Sequence, residues 1–206
     1  MITIYINSEE DFSLLNNYKN KDKIIKIYIN SDIDFKSIFK SIKGLNEYTI
    51  YIYGNNHILS HICINSSEDM TGIISSCKNL YVKDLNITNS SLIGRVLSGI
   101  ICGNVENEVV LDNVHLTDTV VASEAYGGSV VGFCDELSIY DSEINAEVRG
   151  FDVVGGVAGM ANSLTEFNNN IKCTIFGVGK ALGNEVGYCE RKYKKEGNKL
   201  SKRFHF

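Results

Sequence analysis

The residues that could do chemistry are four histidines, six cysteines and an unevenly placed set of carboxylates. His57 and His61 stand four apart, a spacing that on a strand puts both on one face but far apart, so they are poor partners for one metal ion. Cys63, Cys77, Cys102, Cys134, Cys173 and Cys189 contain no CxxC pair, which argues against a zinc site and for buried filler. Asp84, Asn113, Asp141 and Asn168 recur at nearly equal steps. Paired carboxylates could act as acid and base on a glycoside, but alternation with Asn points to a ladder of turn residues. His115 is expected beside Asn86 and Glu143 on an outer surface. No G-x-S-x-G, H-E-x-x-H or phosphate-loop pattern occurs, and Gly177-Val178-Gly179 is too short a glycine signal to carry meaning. No cofactor is expected, and the chain reads as a non-enzyme.

Two sets of internal repeats must position these groups. In the first, Ile4-Tyr5-Ile6-Asn7-Ser8 returns after 23 residues as Ile27-Tyr28-Ile29-Asn30-Ser31, and its strand part again as Ile50-Tyr51-Ile52. Ser8 and Ser31, with Asp11 and Asp34 three residues on, predict helix starts, and Phe12, Leu15, Phe35, Ile38, Phe39 and Ile42 follow at helical spacing. In the second set, the pentad Gly99-Ile100-Ile101-Cys102-Gly103 returns as Gly128–Gly132, Gly155–Gly159 and Gly183–Gly187, at steps of 29, 27 and 28. Between pentads a second strand recurs, from Leu80, Val109 and Leu137, and more loosely from Leu164. A repeat of 23–28 residues made of short strands, ended by Gly or Asx, is one coil of a parallel β-helix, and only stacking buries its apolar side. About seven coils at about 4.8 Å spacing are expected. Stacking then places Ile74, Cys102, Val131, Ala158 and Val186 in one column, and Cys77, Val105, Cys134, Ala161 and Cys189 in another.

Gly155-Gly156-Val157-Ala158-Gly159, together with Ile50-Tyr51-Ile52-Tyr53-Gly54-Asn55-Asn56-His57-Ile58-Leu59-Ser60, resembles the GLUG-motif repeat proteins over about residues 48–189. The resemblance implies a right-handed, pectate-lyase-like β-helix without catalysis of its own, and a context in large surface proteins. The expected fold is therefore an all-β, right-handed parallel β-helix with short helices in its first coils. The expected organisation is one domain over 1–189 (strand–helix coils over 1–47, GLUG-like coils over 48–189), followed by a basic cap or tail over 190–206.

Composition agrees. Proline and tryptophan are absent, 18 residues are glycine and 44% are hydrophobic. No apolar run reaches the roughly 20 residues of a membrane span, so no membrane role is expected. The start, Met1-Ile2-Thr3-Ile4, has neither a basic segment nor an apolar core of a signal peptide, which predicts a cytoplasmic protein. If the chain is phage-encoded, that cytoplasm is the host's.

The net charge of −5 conceals a division. Residues 98–171 hold 12 acidic groups against Arg149 alone, a net −11. Residues 172–206 hold 9 basic groups against 3 acidic ones, a net +6. The expected binding residues are Glu106, Glu108, Asp112, Asp118, Asp135, Glu136, Glu143, Glu147 and Asp152 on an acidic face. The basic tail adds Arg191, Lys192, Lys194, Lys195, Lys199, Lys202 and Arg203. Carboxylates at fixed steps suit a protein partner with a basic surface, such as a nucleic-acid-processing complex. Direct nucleic-acid contact is expected only through the tail. The first expectation is a small inhibitor or adaptor of the anti-CRISPR kind. The alternatives are a surface or carbohydrate-binding module, with Tyr81, Tyr126 and Tyr140 as sugar platforms, and a polysaccharide lyase or hydrolase.

Overall fold

A computed structural model describes residues 1–16, 18, 21–178 and 181–194. The chain winds as a mostly β, parallel solenoid of about six turns. Every pairing between its strands is parallel and joins one coil to the next.

Five columns of strands run along the rod. The first face stacks Ile2–Ile6, Ile24–Ile29, Thr49–Tyr53 and the segments 79–83, 108–112, 136–140, 163–167 and 191–194. The second carries 33–34, 58–60, 86–88, 115–117, 143–144 and 170–171. The third stacks 63–65, 91–94, 120–123, 147–150 and 174–177. Short strands from Met70–Thr71 to Ala181–Gly183 form the fourth. The fifth holds the pentads, with Ile74, Cys102, Val131, Ala158 and Val186 in register, as expected. The turn between the first two strands of the first face is closed by a helix instead, which is why strand-built turns number fewer than the seven coils expected.

Alternation decides what lies inside. Ile25, Ile27, Ile29, Ile50, Leu80, Val82, Val109, Leu111, Leu137 and Ile139 are buried while their neighbours point outward. The pentad glycines permit the close approach at the fifth column: a Cβ on Gly99 would lie 2.4 Å from the Val131 Cα. The cysteine columns are core, with Cys77, Cys102 and Cys134 at 1% exposure or less.

The corner between the first and second faces is an Asx ladder. Asp84, Asn113, Asp141 and Asn168 have φ of 51°, 55°, 47° and 53°. Asx residues tolerate this left-handed conformation better than other side chains do. Asn113 Nδ2 donates to Asp84 Oδ1 at 2.7 Å, and Asn168 Nδ2 to Asp141 Oδ1 at 2.7 Å. The next corner repeats the device with His61, Asn89 and Asp118 at φ of 56°, 49° and 49°.

Two details depart from the sequence reading. Among the described residues only one helix forms, a 3₁₀ segment over Glu9–Leu15. Asp11 Oδ2 accepts from the Asn7 and Ser8 amides, and Phe12 and Leu15 are buried over the end of the rod. The second expected helix is extended chain. Ile33–Asp34 pairs with Leu59–Ser60, Ile38 bridges Cys63 and Ile42 bridges Ile74. The Phe35 and Phe39 amides donate to Ser60 and Cys63 carbonyls of the next coil, so this backbone is satisfied between coils and not within a helix. The third copy of the first repeat is also displaced. Ile27 stacks on Ile52, not Ile50, and Tyr28 on Tyr53.

Candidate interaction surfaces

The structure distributes the expected acidic face around the rod. Glu106, Glu108, Asp135 and Glu136 come together on two coils where the fifth column turns into the first face, with Glu108 stacked on Glu136. Glu108 accepts from the Tyr81 hydroxyl at 2.9 Å, and Asp135 Oδ1 from Asn162 Nδ2 at 2.6 Å. Asp112 lies on the far side of the first face and pairs with Lys83 Nζ at 2.8 Å. Glu143 sits on the second face next to His115, and Asp118 at the following corner. Glu147 is on the third face, paired with Arg149, and exposed Asp152 follows it. The carboxylates thus form a belt around the middle coils, not a single face. Of the basic residues, Arg191 stacks on Ser163 at the end of the first face, and Lys192 and Lys194 belong to strand Val186–Lys194. Lys195, Lys199, Lys202 and Arg203 lie outside the described residues.

The histidines take roles that spacing did not reveal. His57 Nδ1 meets Asp32 Oδ1 at 3.0 Å, and His61 Nδ1 meets Asp34 Oδ1 at 2.6 Å. Each fastens the irregular second coil to the third. Lys36, foremost, and His61 hold the Asp34 carboxyl down at about 2. The Ile58 amide, and after it His57, lower Asp32. His115 Nε2 contacts Asn113 Oδ1 at 3.0 Å and so joins the Asx ladder. Among the described residues no group of three or more His, Cys, Asp or Glu is arranged to hold a metal ion.

Two of the core thiols, Cys77 and Cys134, are weak acids. The Cys102 contact at 3.9 Å, then burial, pushes Cys77 up, and burial does the same to Cys134. Thiolate is the reactive form, so these positions are chemically quiet.

The tyrosines of the first face stack on one another. Tyr28 and Tyr53 lie 4.6 Å apart at 10°, Tyr51 and Tyr81 4.7 Å apart at 13°, and Tyr5 tilts against Tyr28 at 5.7 Å. Each ring of a stacked pair gives one face to its mate. Of the three tyrosines expected as sugar platforms, Tyr81 belongs to this ladder, Tyr140 stands further along the same face, and Tyr126 lies in the fourth column.

One surface was not anticipated. On the third face the outward row runs Ile93, Ala122, Arg149, Phe176. With Phe151 and Val178 it lines a groove of about 580 Å³. Ile93, Phe151 and Phe176 are more than half exposed, and Arg149 lies 5.6 Å from the Phe176 ring centre. The sequence signal was available: apolar side chains stand at outward positions of an alternating pattern. The groove is bordered by Glu124 and Glu147, so it lies within the acidic belt.

Among the described residues no helix is long and apolar enough to cross a membrane. No known family, no curated protein and no solved structure matches this chain.

Proposed function

We propose that this chain is a non-catalytic protein-binding module for a partner that presents a basic surface with an apolar anchor. One observation carries the reading: the exposed apolar groove of Ile93, Phe151, Phe176 and Val178 spans the coils with the greatest excess of carboxylates, which contribute Ala122, Glu124 and Arg149 to it. Exposed apolar patches rimmed by polar groups mark protein interfaces, and rim charge steers encounter with a partner of opposite sign. In its most specific form, the module is an inhibitor or adaptor of the anti-CRISPR kind, built on GLUG-like coils in the cytoplasm and aimed at a nucleic-acid-processing complex. Support for that form comes from the carboxylates repeating at coil spacing, which suits a channel made for a phosphate backbone.

The test is a pull-down against purified nuclease complexes at low and high salt. Capture is expected to weaken with salt, to fall when Glu124, Glu147 and Asp152 are reversed to Lys, and to be lost in the Phe151→Ser/Phe176→Ser double variant. Capture indifferent to both sets, or binding and cleavage of a uronate polymer in Ca²⁺, overturns the reading.

A further inference from the structure

One outward row of the first face is close to palindromic about its middle. That row, read along the rod, is Tyr5, Tyr28, Tyr53, Lys83, Asp112, Tyr140, Phe167. On either side of the Lys83–Asp112 pair the next two positions are aromatic, Tyr53 and Tyr28 facing one way and Tyr140 and Phe167 the other, with Tyr5 a third ring beyond Tyr28. The row beside it is Tyr51, Tyr81, Val110, Ser138, large on one side of the same centre and small on the other. Val110, at 1% exposure, is covered by its neighbours.

We propose that the first face is a self-recognition surface on which two copies of this chain pack with their rods antiparallel. A two-fold axis along the strands, between the segments 79–83 and 108–112, reverses the order of coils and keeps each row opposite itself. Lys83 of one copy then faces Asp112 of the other. Tyr53 meets Tyr140, and Tyr28 meets Phe167. In the second row Tyr81 lies over the smaller residue Val110, and Tyr51 over Ser138. In the third, Glu108 faces Asn79 and Glu136 faces Thr49, so no carboxylate meets a carboxylate.

The occupant is argued from this charge and shape complementarity, which belongs to an isologous interface, where the same patch serves both subunits. Strands about 4.8 Å apart fix the matching at every level once the centre is set. Tyrosine is among the residues enriched at such surfaces. The matched rows span about 25 Å along the rod and three outward residues across it, which puts the contact at the small, reversible end of interface sizes. The groove on the third face stays uncovered, so the proposal stands independently of the protein-binding reading.

Sedimentation equilibrium of the full chain, from about 1 µM to about 500 µM, tests it. A monomer–dimer equilibrium is expected, with a dissociation constant on the order of 10–100 µM. Lys83→Asp and Asp112→Lys should each weaken it at least about tenfold, since each sets like charges opposite one another twice per dimer. The double exchange Lys83→Asp/Asp112→Lys restores opposite signs both within and between copies and should recover the dimer. Val110→Arg, with the fold checked by circular dichroism, should abolish it. A monomer at every concentration overturns the proposal. So does a dimer that ignores all four variants, or one lost instead in Phe151→Ser/Phe176→Ser, which would place the contact at the groove.

Discussion

Asn113 donates its side-chain amide to Asp84 Oδ1 in the preceding coil at 2.7 Å, and both residues hold a left-handed backbone at the same corner. One residue type thus meets two demands, a positive φ and a bond between coils. Asn113→Ala should lose about 1–2 kcal/mol, from the unpaired acceptor and the strained backbone. Asn113→Gly should lose less, because glycine relieves the strain while still losing the bond. Asn113→Asp should be worse than Gly, since two carboxylates then face each other. Urea midpoints at unchanged slope check the order.

The pentad glycines should not tolerate a methyl group. A Cβ on Gly128 would lie 2.5 Å from the Ala158 Cα and 2.3 Å from the Val131 carbonyl oxygen. Gly128→Ala is expected to cost roughly 3 kcal/mol or more, as overpacking against backbone does. Gly44 has φ +80° and no atom within 4 Å of such a Cβ. Gly44→Ala should cost only the left-handed penalty, about 1–2 kcal/mol. Thermal melts of the two variants side by side measure the contrast.

Thiol reactivity should follow burial. Burial raises Cys173 to about 11 and pushes Cys134 up further, and the Cys102 contact together with burial raises Cys77. A raised thiol contributes stability that is present below the unfolded value, about 8.5, and is lost as pH climbs toward the folded one. Stability should therefore decline from about pH 8.5 upward. Ellman's reagent at pH 8 should label the buried thiols slowly in the folded chain, and all six rapidly in denaturant.

The Asp34 carboxylate should titrate near 2 in a carbon-detected NMR titration. Lys36→Ala should raise that midpoint more than His61→Ala, since Lys36 is the larger cause. Because the folded value is depressed, the contacts stabilise the fold above the ordinary Asp value, about 3.9. That contribution is lost as pH falls from there through about 2. Loosening of the Ile33–Asp34 strand should appear in that window before the remaining coils respond.

The coils from residue 70 onward were legible in the sequence, because a pentad bounded by two glycines can be aligned in only one way. The pentad columns, the cysteine columns and the Asx ladder all have the expected register. The early coils were harder. In Ile-Tyr-Ile a slip of two residues leaves every side chain on its own face, so Ile27 could be assigned to Ile50 when it stacks on Ile52. Ser31 and Asp34 carried a helix-start signature, but Ser31 Oγ donates to the Asn7 carbonyl and Asp34 serves Lys36 and His61. A local signal lost to partners one coil away. Counting the carboxylates found their concentration but not their arrangement, since charge totals carry no angle around the rod. The groove escaped because its apolar residues lie on separate coils, and nothing in the linear order joins Ile93 to Phe151 and Phe176.

The register between Glu108–Ser123 and Glu143–Gly150 shifts between Leu116 and Thr119, where the later coil turns the corner with one residue fewer. Strands on both sides of the break stay paired. Corner length is thus independent of strand alignment. A residue gained or lost at a corner is absorbed locally, while the same change inside a strand would turn the following side chains inside out. For a lineage of such rods, the corners are where length can drift and new loops can be inserted, with the stacked faces left as they were.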